Sequence, residues 1–333
     1  MERLGSVMQL KNVKKYTILV SGASGIVGYG ILRALKERGD IFLIGTTIYP
    51  QSPANCFADV VEIVPQTNAP EYLSALKGLI ARYSIDMIIP GIEADMSVWN
   101  QARGELESTG TFVLLNNPDL ISMCLDKWKF YEKLVENNYP GRIETSIDSN
   151  DARFSLPFLL KPRCGFGGRG IVKIETREQF EQNRNKIGDY LMMQEYVGSD
   201  AEEYTVSAFF DCKSAIRAVM GLRRKLSGAG YTEMAEVVDT DKFMGDIKQL
   251  ADIFKPVGPT NFQFRMGRNA LKLLEINPRI SSSTLIRAKF GYNESSMAVD
   301  YFLEKKEAAQ PAIRRGHAMR YTEEYVFYDS TNI

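Results

Sequence analysis

The chain has 333 residues, of which 44% are hydrophobic and 25% are charged. A chain of this length exceeds one typical domain, so two or three compact units are expected. Lysine plus arginine and aspartate plus glutamate balance at 41 each, which leaves no basic surplus for nucleic acid or an anionic membrane. A single histidine and four scattered cysteines (Cys56, Cys124, Cys164 and Cys212) almost exclude a zinc site or a Ser-His-Asp triad.

The first fifteen residues are mixed and polar, unlike a signal peptide, and no apolar run approaches the ~20 residues that span a bilayer. The sequence therefore predicts a reduced, cytoplasmic protein with no membrane partner.

The N-terminal third alternates strands and helices. Strands are predicted at 16–21, 41–45, 60–64, 86–90 and 111–115, with helices between them. Such alternation is typical of a parallel, doubly wound sheet, so residues 1–117 are predicted to form a Rossmann-like domain.

The first strand leads into a glycine-rich turn, Gly22-Ala-Ser-Gly-Ile-Val-Gly28. A turn of this kind can place a pyrophosphate on a helix N-terminus, as in dinucleotide-binding proteins. The end of the second strand reads Gly45-Thr-Thr-Ile-Tyr and lacks the acidic residue that binds ribose hydroxyls in those proteins. The glycines are equally well explained by tight packing of the strand against the helix.

From residue 118 onward the pattern favours one long helix (118–137) followed by mostly antiparallel strands. We predict a segment at 118–196 and a second at 197–333. The strands are expected at 158–162, 171–174, 191–196, 203–210, 214–222, 260–265 and 271–277.

The most informative segment is Asn261-Phe-Gln-Phe-Arg followed by Leu271-Lys-Leu-Leu-Glu-Ile-Asn-Pro-Arg279. Because side chains alternate along a strand, Glu275 and Asn277 share one face, and Gln263 on the neighbouring strand can add a third oxygen donor. Such oxygen ligands suit Mg²⁺ held together with substrate phosphates. Arg279 can then reach a phosphate oxygen. The alternative is an edge strand with ordinary polar residues.

A second glycine-rich loop, Cys164 to Gly170, follows Lys161 and lies between two predicted strands. Its glycines would allow main-chain N–H groups to close over phosphate oxygens, with Lys161 beside them, although a simple turn would have the same composition. Downstream, Gln194-Glu-Tyr-Val-Gly ends a strand. Main-chain groups near Glu195 and Val197 can hydrogen-bond an adenine edge, and Glu203 can accept from ribose hydroxyls; Glu195 is equally compatible with a solvated charge.

In order along the chain, Asp126-Lys127, Lys161, the glycine-rich flap, Gln194-Glu-Tyr-Val, Glu203, Gln263 and Glu275-x-Asn277-x-Arg279 resemble the ATP-grasp superfamily. The likeness is to the ATP-grasp half of the carbamoyl phosphate synthetase large subunit and to stand-alone carboxylate–amine ligases. It covers nearly the whole chain and implies an α/β protein. A Rossmann-like pre-ATP-grasp domain would precede an α+β ATP-grasp fold, with a lid subdomain at 118–196 and an antiparallel-sheet subdomain at 197–333.

The resemblance also implies roles for individual residues. Lys127 and Lys161 would contact ATP phosphates, with Gly165, Gly167, Gly168 and Gly170 in the flap above them. Glu195 and Val197 would hold adenine and Glu203 the ribose. Gln263, Glu275 and Asn277 would hold Mg²⁺ (or Mn²⁺), and Arg279 would stabilise the transferring phosphoryl group.

Such enzymes phosphorylate a carboxylate or bicarbonate, and an amine then attacks the acylphosphate. We expect Arg223 and Arg224, placed just beyond a strand ending at Leu222, to clamp the acceptor carboxylate as a pair, unless they form a solvated basic turn. Tyr139-Pro-Gly departs from the family's longer proline element, and no amidotransferase domain, second ATP-grasp half or biotin carrier is present. A homodimer is compatible with the family. A nicotinamide-dependent reductase or epimerase, and an ATP-binding subunit without turnover, remain alternatives.

Overall fold

The computed structural model describes residues 14–165, 170–228 and 230–327. The chain divides into two compact units. The first unit comprises the described parts of Met1–Leu114, Ser282–Glu307 and Ala318–Ile333, and the second those of Leu115–Ser281 and Ala308–His317. Segments that follow most of the second unit in sequence therefore belong to the first unit. The sequence analysis placed boundaries at residues 117 and 196 and did not assign any later segment to the first unit. Those boundaries stay a prediction.

The first unit contains the predicted parallel sheet, in strand order β3-β2-β1-β4-β5. The strands are β1 (Tyr16–Val20), β2 (Ile41–Thr47), β3 (Val60–Ile63), β4 (Met87–Ile89) and β5 (Phe112–Val113). The helices before residue 115 are α1 (Ile26–Lys36), α2 (Tyr72–Tyr83), α3 (Glu93–Gln101) and α4 (Arg103–Glu107). The central strands read as continuous apolar runs because a parallel sheet buries both of its faces, and Ile18, Leu19 and Val20 are fully buried.

The second unit begins with α5 (Pro118–Cys124) and α6 (Lys127–Glu136) and continues into a four-stranded sheet ordered β6-β9-β7-β8. Its strands are β6 (Thr145–Ser146), β7 (Phe158–Pro162), β8 (Val172–Ile174) and β9 (Leu191–Glu195), with α7 (Arg177–Asn183) between β8 and β9. A small apolar core that includes Phe158, Leu160 and Met193 holds this sheet together. We call it the lid sheet because it carries the predicted flap.

The larger sheet of the second unit has the order β14-β13-β10-β11-β12-β15. Its strands are β10 (Glu203–Phe210), β11 (Ile216–Leu226), β12 (Thr232–Val238), β13 (Gly258–Met266), β14 (Leu271–Asn277) and β15 (His317–Met319). Helix α8 (Asp241–Phe254) packs its apolar side against one face of this sheet, where Phe243 contacts Tyr204 and Phe264. That packing leaves the opposite face of the sheet to polar residues.

Two helices follow the large sheet and belong to the first unit: α9 (Thr284–Lys289) and α10 (Glu294–Phe302). Arg287 and Glu294 form a fully buried ion pair between them, with the Nη1–Oε1 distance 3.4 Å. Phe302 stacks on Phe112 of β5 with ring centroids 4.7 Å apart. The ion pair joins the two helices to each other, and the stacking of Phe302 attaches them to the first sheet.

Three sequence predictions need correction. The long helix at 118–137 is two helices, because Asp126 leaves helical geometry and accepts hydrogen bonds from the N–H groups of Trp128 and Lys129 as the N-cap of α6. The strand predicted to end at Leu222 continues to Leu226, because β12 pairs with it. Strand β12 and helix α8 were not predicted. Over the described residues, no helix is long and apolar enough to cross a membrane.

Candidate active site

The register of the strands in the large sheet places several polar side chains next to one another. On one face, polar side chains of β10, β13 and β14 line up in rows across the sheet, and β11 adds Arg224 to the first row. The rows are Arg224–Glu203–Arg265, then Thr205–Gln263–Glu275, then Ser207–Asn261–Asn277. We call this surface the polar face.

The three predicted metal ligands lie together on the polar face. Gln263 and Glu275 are direct cross-strand partners, and Asn277 is two residues beyond Glu275 on the same strand. The side-chain amide of Asn277 donates to Glu275 Oε1 at 3.0 Å. Arg279 lies two residues after Asn277, just beyond the end of β14. Its Nη2 donates to Asn277 Oδ1 at 3.3 Å, and its Nη1 donates to the Ile280 carbonyl.

This donor set suits Mg²⁺. One carboxylate and two side-chain amides are neighbours on this face, and such hard oxygen donors are the ligands that Mg²⁺ accepts when phosphates complete its shell. Among the described residues, no group of three or more His, Cys, Asp or Glu side chains forms a site able to hold a metal by itself.

Glu203 lies in the first row and is almost completely buried. Its Oε1 accepts from Nε and Nη2 of Arg224 at 3.0 and 2.7 Å, and its Oε2 accepts from Nη2 of Arg265 at 2.5 Å. Arg224 Nη2 also donates to Gln263 Oε1 at 2.5 Å. The predicted ribose ligand is thus the centre of a buried ion-pair cluster that reaches the predicted metal ligands.

Lys161 lies on β7 of the lid sheet and is only 8% exposed. Its Nζ donates to Gln194 Oε1 at 3.0 Å, and the amide of Gln194 donates in turn to Thr145 Oγ1 at 3.1 Å. Burial lowers the pKa of Lys161 to about 8, although the charges of Glu275 and Glu203 act to raise it. Lys161 is therefore close enough to both carboxylates of the polar face to sense their charge.

Lys127 begins α6 near the start of the flap. Its Nζ donates to the Gly165 carbonyl at 2.7 Å, and its main-chain N–H donates to the Arg163 carbonyl. Arg163 in turn forms a two-point ion pair with Asp126, with donor–acceptor distances of 3.1 and 2.7 Å. The hydrogen bonds that Arg163 donates to Asp126 are the main cause that lowers the pKa of this carboxyl group. This pairing fixes the base of the flap against the helix.

The flap itself is described only at its ends. Gly165 and Gly170 both have positive φ angles, of 126° and 75°. Gly167 and Gly168 lie outside the described residues. The predicted role of this loop in covering phosphates stays a prediction.

The predicted adenine segment follows β9. Glu195 is exposed and its N–H donates to the Glu144 carbonyl, whereas the Val197 side chain is buried. Gly198 has φ +63°, and a Cβ placed on it would lie 2.1 Å from the carbonyl oxygen of Met266. Only glycine can therefore bring the end of the lid sheet this close to β13.

The structure does not bring Arg223 and Arg224 together. Both lie within β11, so they face opposite sides of the sheet. Arg223 is exposed and pairs with its cross-strand partner Glu236, with Nη2–Oε2 2.6 Å. A clamp made by both arginines on one carboxylate is incompatible with this strand, and only Arg224 reaches the polar face.

The first glycine-rich turn is packed against the neighbouring strand loop. A Cβ on Gly28 would lie 2.4 Å from the Gly22 carbonyl oxygen, and one on Gly91 would lie 2.1 Å from that of Ser21. These glycines are therefore needed for close packing of main chain on main chain. Of the two explanations that the sequence left open, packing is sufficient.

Sequence reasoning missed two residues of the site, Arg265 and Gln194. Arg265 follows Gln263 by two positions, so the strand period already placed it on the same face; its partner Glu203 became visible only from the pairing of β10 with β13. Gln194 orients Lys161 from a neighbouring strand, and nothing in either segment reveals that β7 pairs with β9.

Two family models match separate parts of this chain. Residues 188–325 match the family model described as ATP-grasp in the biosynthetic pathway with Ter operon, and residues 24–114 match the PylC-like N-terminal domain. The predicted resemblance to the ATP-grasp superfamily and the predicted fold class are confirmed.

Among curated proteins, the chain is similar to the carbamoyl phosphate synthase large chain of Saccharolobus islandicus, with 23% identity over 313 residues. The match covers 84% of this chain and 29% of that relative, so the chain spans less than a third of the relative's length.

Among solved structures, N5-carboxyaminoimidazole synthetase from Staphylococcus aureus has a TM-score of 0.71 at 16% identity, covering 90% of this chain and 80% of that one. The biotin carboxylase domain dimer of Hydrogenobacter thermophilus 2-oxoglutarate carboxylase, solved with ADP, its magnesium salt and bicarbonate, has a TM-score of 0.69 at 17% identity. That match covers 90% of this chain and 73% of the other. At these identities the likeness concerns the fold.

Proposed function

We propose that this chain is an ATP-dependent, ADP-forming ligase that activates a carboxylate or bicarbonate as an acylphosphate for attack by an amine. The observation that carries the proposal is the convergence of Gln263, Glu275 and Asn277 with Lys161 and Arg224 around one polar face. Phosphoryl transfer needs positioned cations and metal ligands more than a covalent nucleophile. The site supplies those groups and has neither a histidine nor a cysteine among them.

Each side chain then has a limited task. Gln263, Glu275 and Asn277 would hold Mg²⁺ (or Mn²⁺), which when bound neutralises charge on the β- and γ-phosphate oxygens. Lys161 and Lys127 would contact the phosphates, and Arg279 would face the phosphoryl group as it transfers to the acceptor oxygen. Glu195 and Val197 would hold adenine at the end of β9.

Arg224 is the better placed of the two predicted acceptor residues. It lies on the polar face beside Gln263, where a carboxylate entering next to the metal ligands would meet its guanidinium. We expect the acceptor to be a small molecule, and bicarbonate is one candidate to test because the similar biotin carboxylase domain was solved with that anion.

The test is ATP turnover with a panel of acceptors. Bicarbonate, amino acids and other small carboxylates are incubated with MgATP and amines, and ADP and phosphate are measured. Hydroxylamine is added in a parallel series, because it converts an acylphosphate into a stable hydroxamate. ADP together with a hydroxamate supports the proposal, whereas formation of AMP in place of ADP would contradict it.

Thermal stabilisation separates the remaining alternatives. Stabilisation by MgATP and none by NADH is expected. Stabilisation by NADH alone would favour a reductase or epimerase at the first glycine-rich turn. Bound ATP that is never hydrolysed with any acceptor would indicate an ATP-binding subunit without turnover.

A further inference from the structure

Lys161 is held by a chain of buried hydrogen bonds that runs in one direction. Its Nζ donates to Gln194 Oε1 at 3.0 Å, and the amide of Gln194 donates to Thr145 Oγ1 at 3.1 Å. The hydroxyl of Thr145 donates in turn to the Ile143 carbonyl at 3.0 Å. Lys161, Gln194 and Thr145 are only 8%, 7% and 1% exposed. Water therefore has little access to these bonds.

The register of the lid sheet places the three side chains next to one another. Gln194 on β9 pairs directly with Thr145 of β6 and with Leu159 of β7. Lys161 is two residues beyond Leu159 on the same strand, so its side chain lies on the same face of the sheet. The chain of hydrogen bonds thus crosses three neighbouring strands.

The last acceptor fixes the orientation of the Gln194 amide. A side-chain amide has an oxygen acceptor on one side and N–H donors on the other. Because Thr145 uses its hydroxyl hydrogen on the Ile143 carbonyl, its Oγ1 is an acceptor for the N–H side of Gln194. The oxygen side of the amide is then directed to the ammonium of Lys161. A rotated amide would set donor against donor and leave buried N–H groups without acceptors, which is costly.

The chain of hydrogen bonds holds Lys161 through neutral groups. Burial lowers the pKa of Lys161 to about 8, and the charges that act on it are those of the carboxylates Glu275 and Glu203 and of the cations Lys127 and Arg265. Two negative and two positive groups offset one another, so the ammonium keeps its own charge for an anion. A carboxylate in place of the amide would form an ion pair with the ammonium and would repel a phosphate.

We propose that Gln194 and Thr145 are positioning residues for Lys161, which hold its ammonium through neutral groups and thereby keep its charge for the phosphates of the nucleotide. The inference rests on the proposed function, because it concerns the nucleotide that Lys161 would contact. An ammonium group has three N–H donors, and Gln194 accepts from one, so phosphate oxygens can accept from the others. Gln194 and Thr145 then act on the nucleotide through Lys161.

Gln194→Glu tests the requirement for a neutral acceptor. The full chain is titrated calorimetrically with MgATP at pH values on both sides of the pKa of Lys161. At pH 7 the variant should bind MgATP about tenfold more weakly, because its carboxylate compensates the ammonium. The midpoint of the loss of affinity at alkaline pH should rise by about one unit or more, because a neighbouring carboxylate raises the pKa of an ammonium. Gln182→Glu, at an exposed position of α7, introduces the same charge and should change neither quantity.

Thr145→Val and Thr145→Ser test the orientation of the amide. Valine has nearly the shape of threonine without the hydroxyl, so the Gln194 amide loses its acceptor, and MgATP affinity should fall about fivefold. Serine keeps the hydroxyl and should retain an affinity within about twofold of wild type. Equal affinity in the two variants would contradict the inference.

Adenosine, which has no phosphates, separates this role from a contact with the base. Its affinity should change by less than about twofold in Gln194→Glu and Thr145→Val. If adenosine and MgATP weakened by the same factor, or if the alkaline midpoint of Gln194→Glu stayed at the wild-type value, the inference alone would be overturned. A wild-type chain that bound no MgATP would overturn the proposed function and the inference with it. Circular dichroism checks folding; should Gln194→Glu unfold, the comparison of Thr145→Val with Thr145→Ser decides the question.

Discussion

Gln263 and Glu275 are direct cross-strand partners on β13 and β14, and a β-bulge follows them at once. The bulge matters because Leu273, only two residues before Glu275, pairs with Phe264 and joins the apolar core on the opposite face. In a regular strand, Leu273 and Glu275 would share a face. One irregularity therefore allows the same short strand to serve both the core and the proposed metal site.

The first prediction concerns the only carboxylate among the proposed metal ligands. Glu275→Gln keeps the shape of the side chain and removes its charge, so Mg²⁺ loses its one anionic protein ligand. ATP turnover should fall about a hundredfold or more, with the free energy of unfolding within about 1 kcal/mol of wild type. Turnover is measured as ADP release and stability by urea denaturation. Glu233→Gln, at a partly exposed position of β12, is the control, and equal turnover in both variants would refute the role of Glu275.

The second prediction uses the lowered pKa of Lys161. The buried side chain has a pKa of about 8 in the folded protein and 10.5 as its ordinary value. Between these values the unfolded chain binds more protons, so the stability of the wild type should rise with pH in this window. Relative to Lys161→Met, the gain should reach roughly 3 kcal/mol at most, since each pKa unit corresponds to about 1.4 kcal/mol.

Urea unfolding of both proteins at several pH values across that window measures the difference. Other titrating groups cancel in the comparison, because the two chains differ at one residue. A difference that stays constant, or that shrinks as the pH rises, would show that Lys161 is not desolvated as described. MgATP binding should show the opposite trend, because the ammonium group that we propose contacts phosphate loses its charge as the pH rises above about 8.

The third prediction separates two adjacent arginines. Arg224→Met should raise the KM for the acceptor carboxylate at least about tenfold, because it removes a charged hydrogen-bond donor from the polar face. Arg223→Met should change neither KM nor kcat by more than about twofold, since a surface ion pair such as Arg223–Glu236 contributes little. Steady-state kinetics with the acceptor found in the panel provide the measurement. A similar increase in KM in both variants would support the original prediction that the two arginines bind the carboxylate together.

The difference between these arginines shows where sequence reasoning succeeded and where it stopped. Glu275 and Asn277 could be placed on one face because a period of two needs no knowledge of the neighbouring strand. Arg223 and Arg224 could not, because the strand was predicted to end at Leu222, before both of them. Strand β12 extends the pairing past that point, and its presence follows from tertiary contacts.

The assignment of helices α9 and α10 to the first unit also depends on tertiary contacts and could not be predicted from the sequence. Helices α9 and α10 are short, and no local signal states which sheet they pack against. Phe302 of α10 stacks on Phe112 of β5, a contact between residues far apart in sequence, and the buried Arg287–Glu294 pair joins the two helices to each other. The parallel sheet, by contrast, was predictable, because its buried strands are continuous apolar runs.

The last prediction concerns Gly198, the glycine at which the end of the lid sheet comes close to β13. Gly198 has φ +63°, and a Cβ there would lie 2.1 Å from the Met266 carbonyl oxygen. Gly198→Ala must therefore move the end of β9 away from β13, at a cost of roughly 2 kcal/mol or more in the free energy of unfolding. MgATP affinity should fall as well, because Glu195 and Val197 would shift relative to Lys161.

Gly245→Ala is the matched control for this change. Gly245 is exposed within α8, and a Cβ on it would meet open space. Alanine should stabilise this helix by about 0.5–1 kcal/mol, because it loses less main-chain entropy than glycine. Urea denaturation and calorimetric titration with MgATP are carried out on both variants. Gly198→Ala could instead be as stable as Gly245→Ala and bind MgATP as tightly. That result would show that the close approach to β13 does not position the predicted adenine segment, Glu195 and Val197.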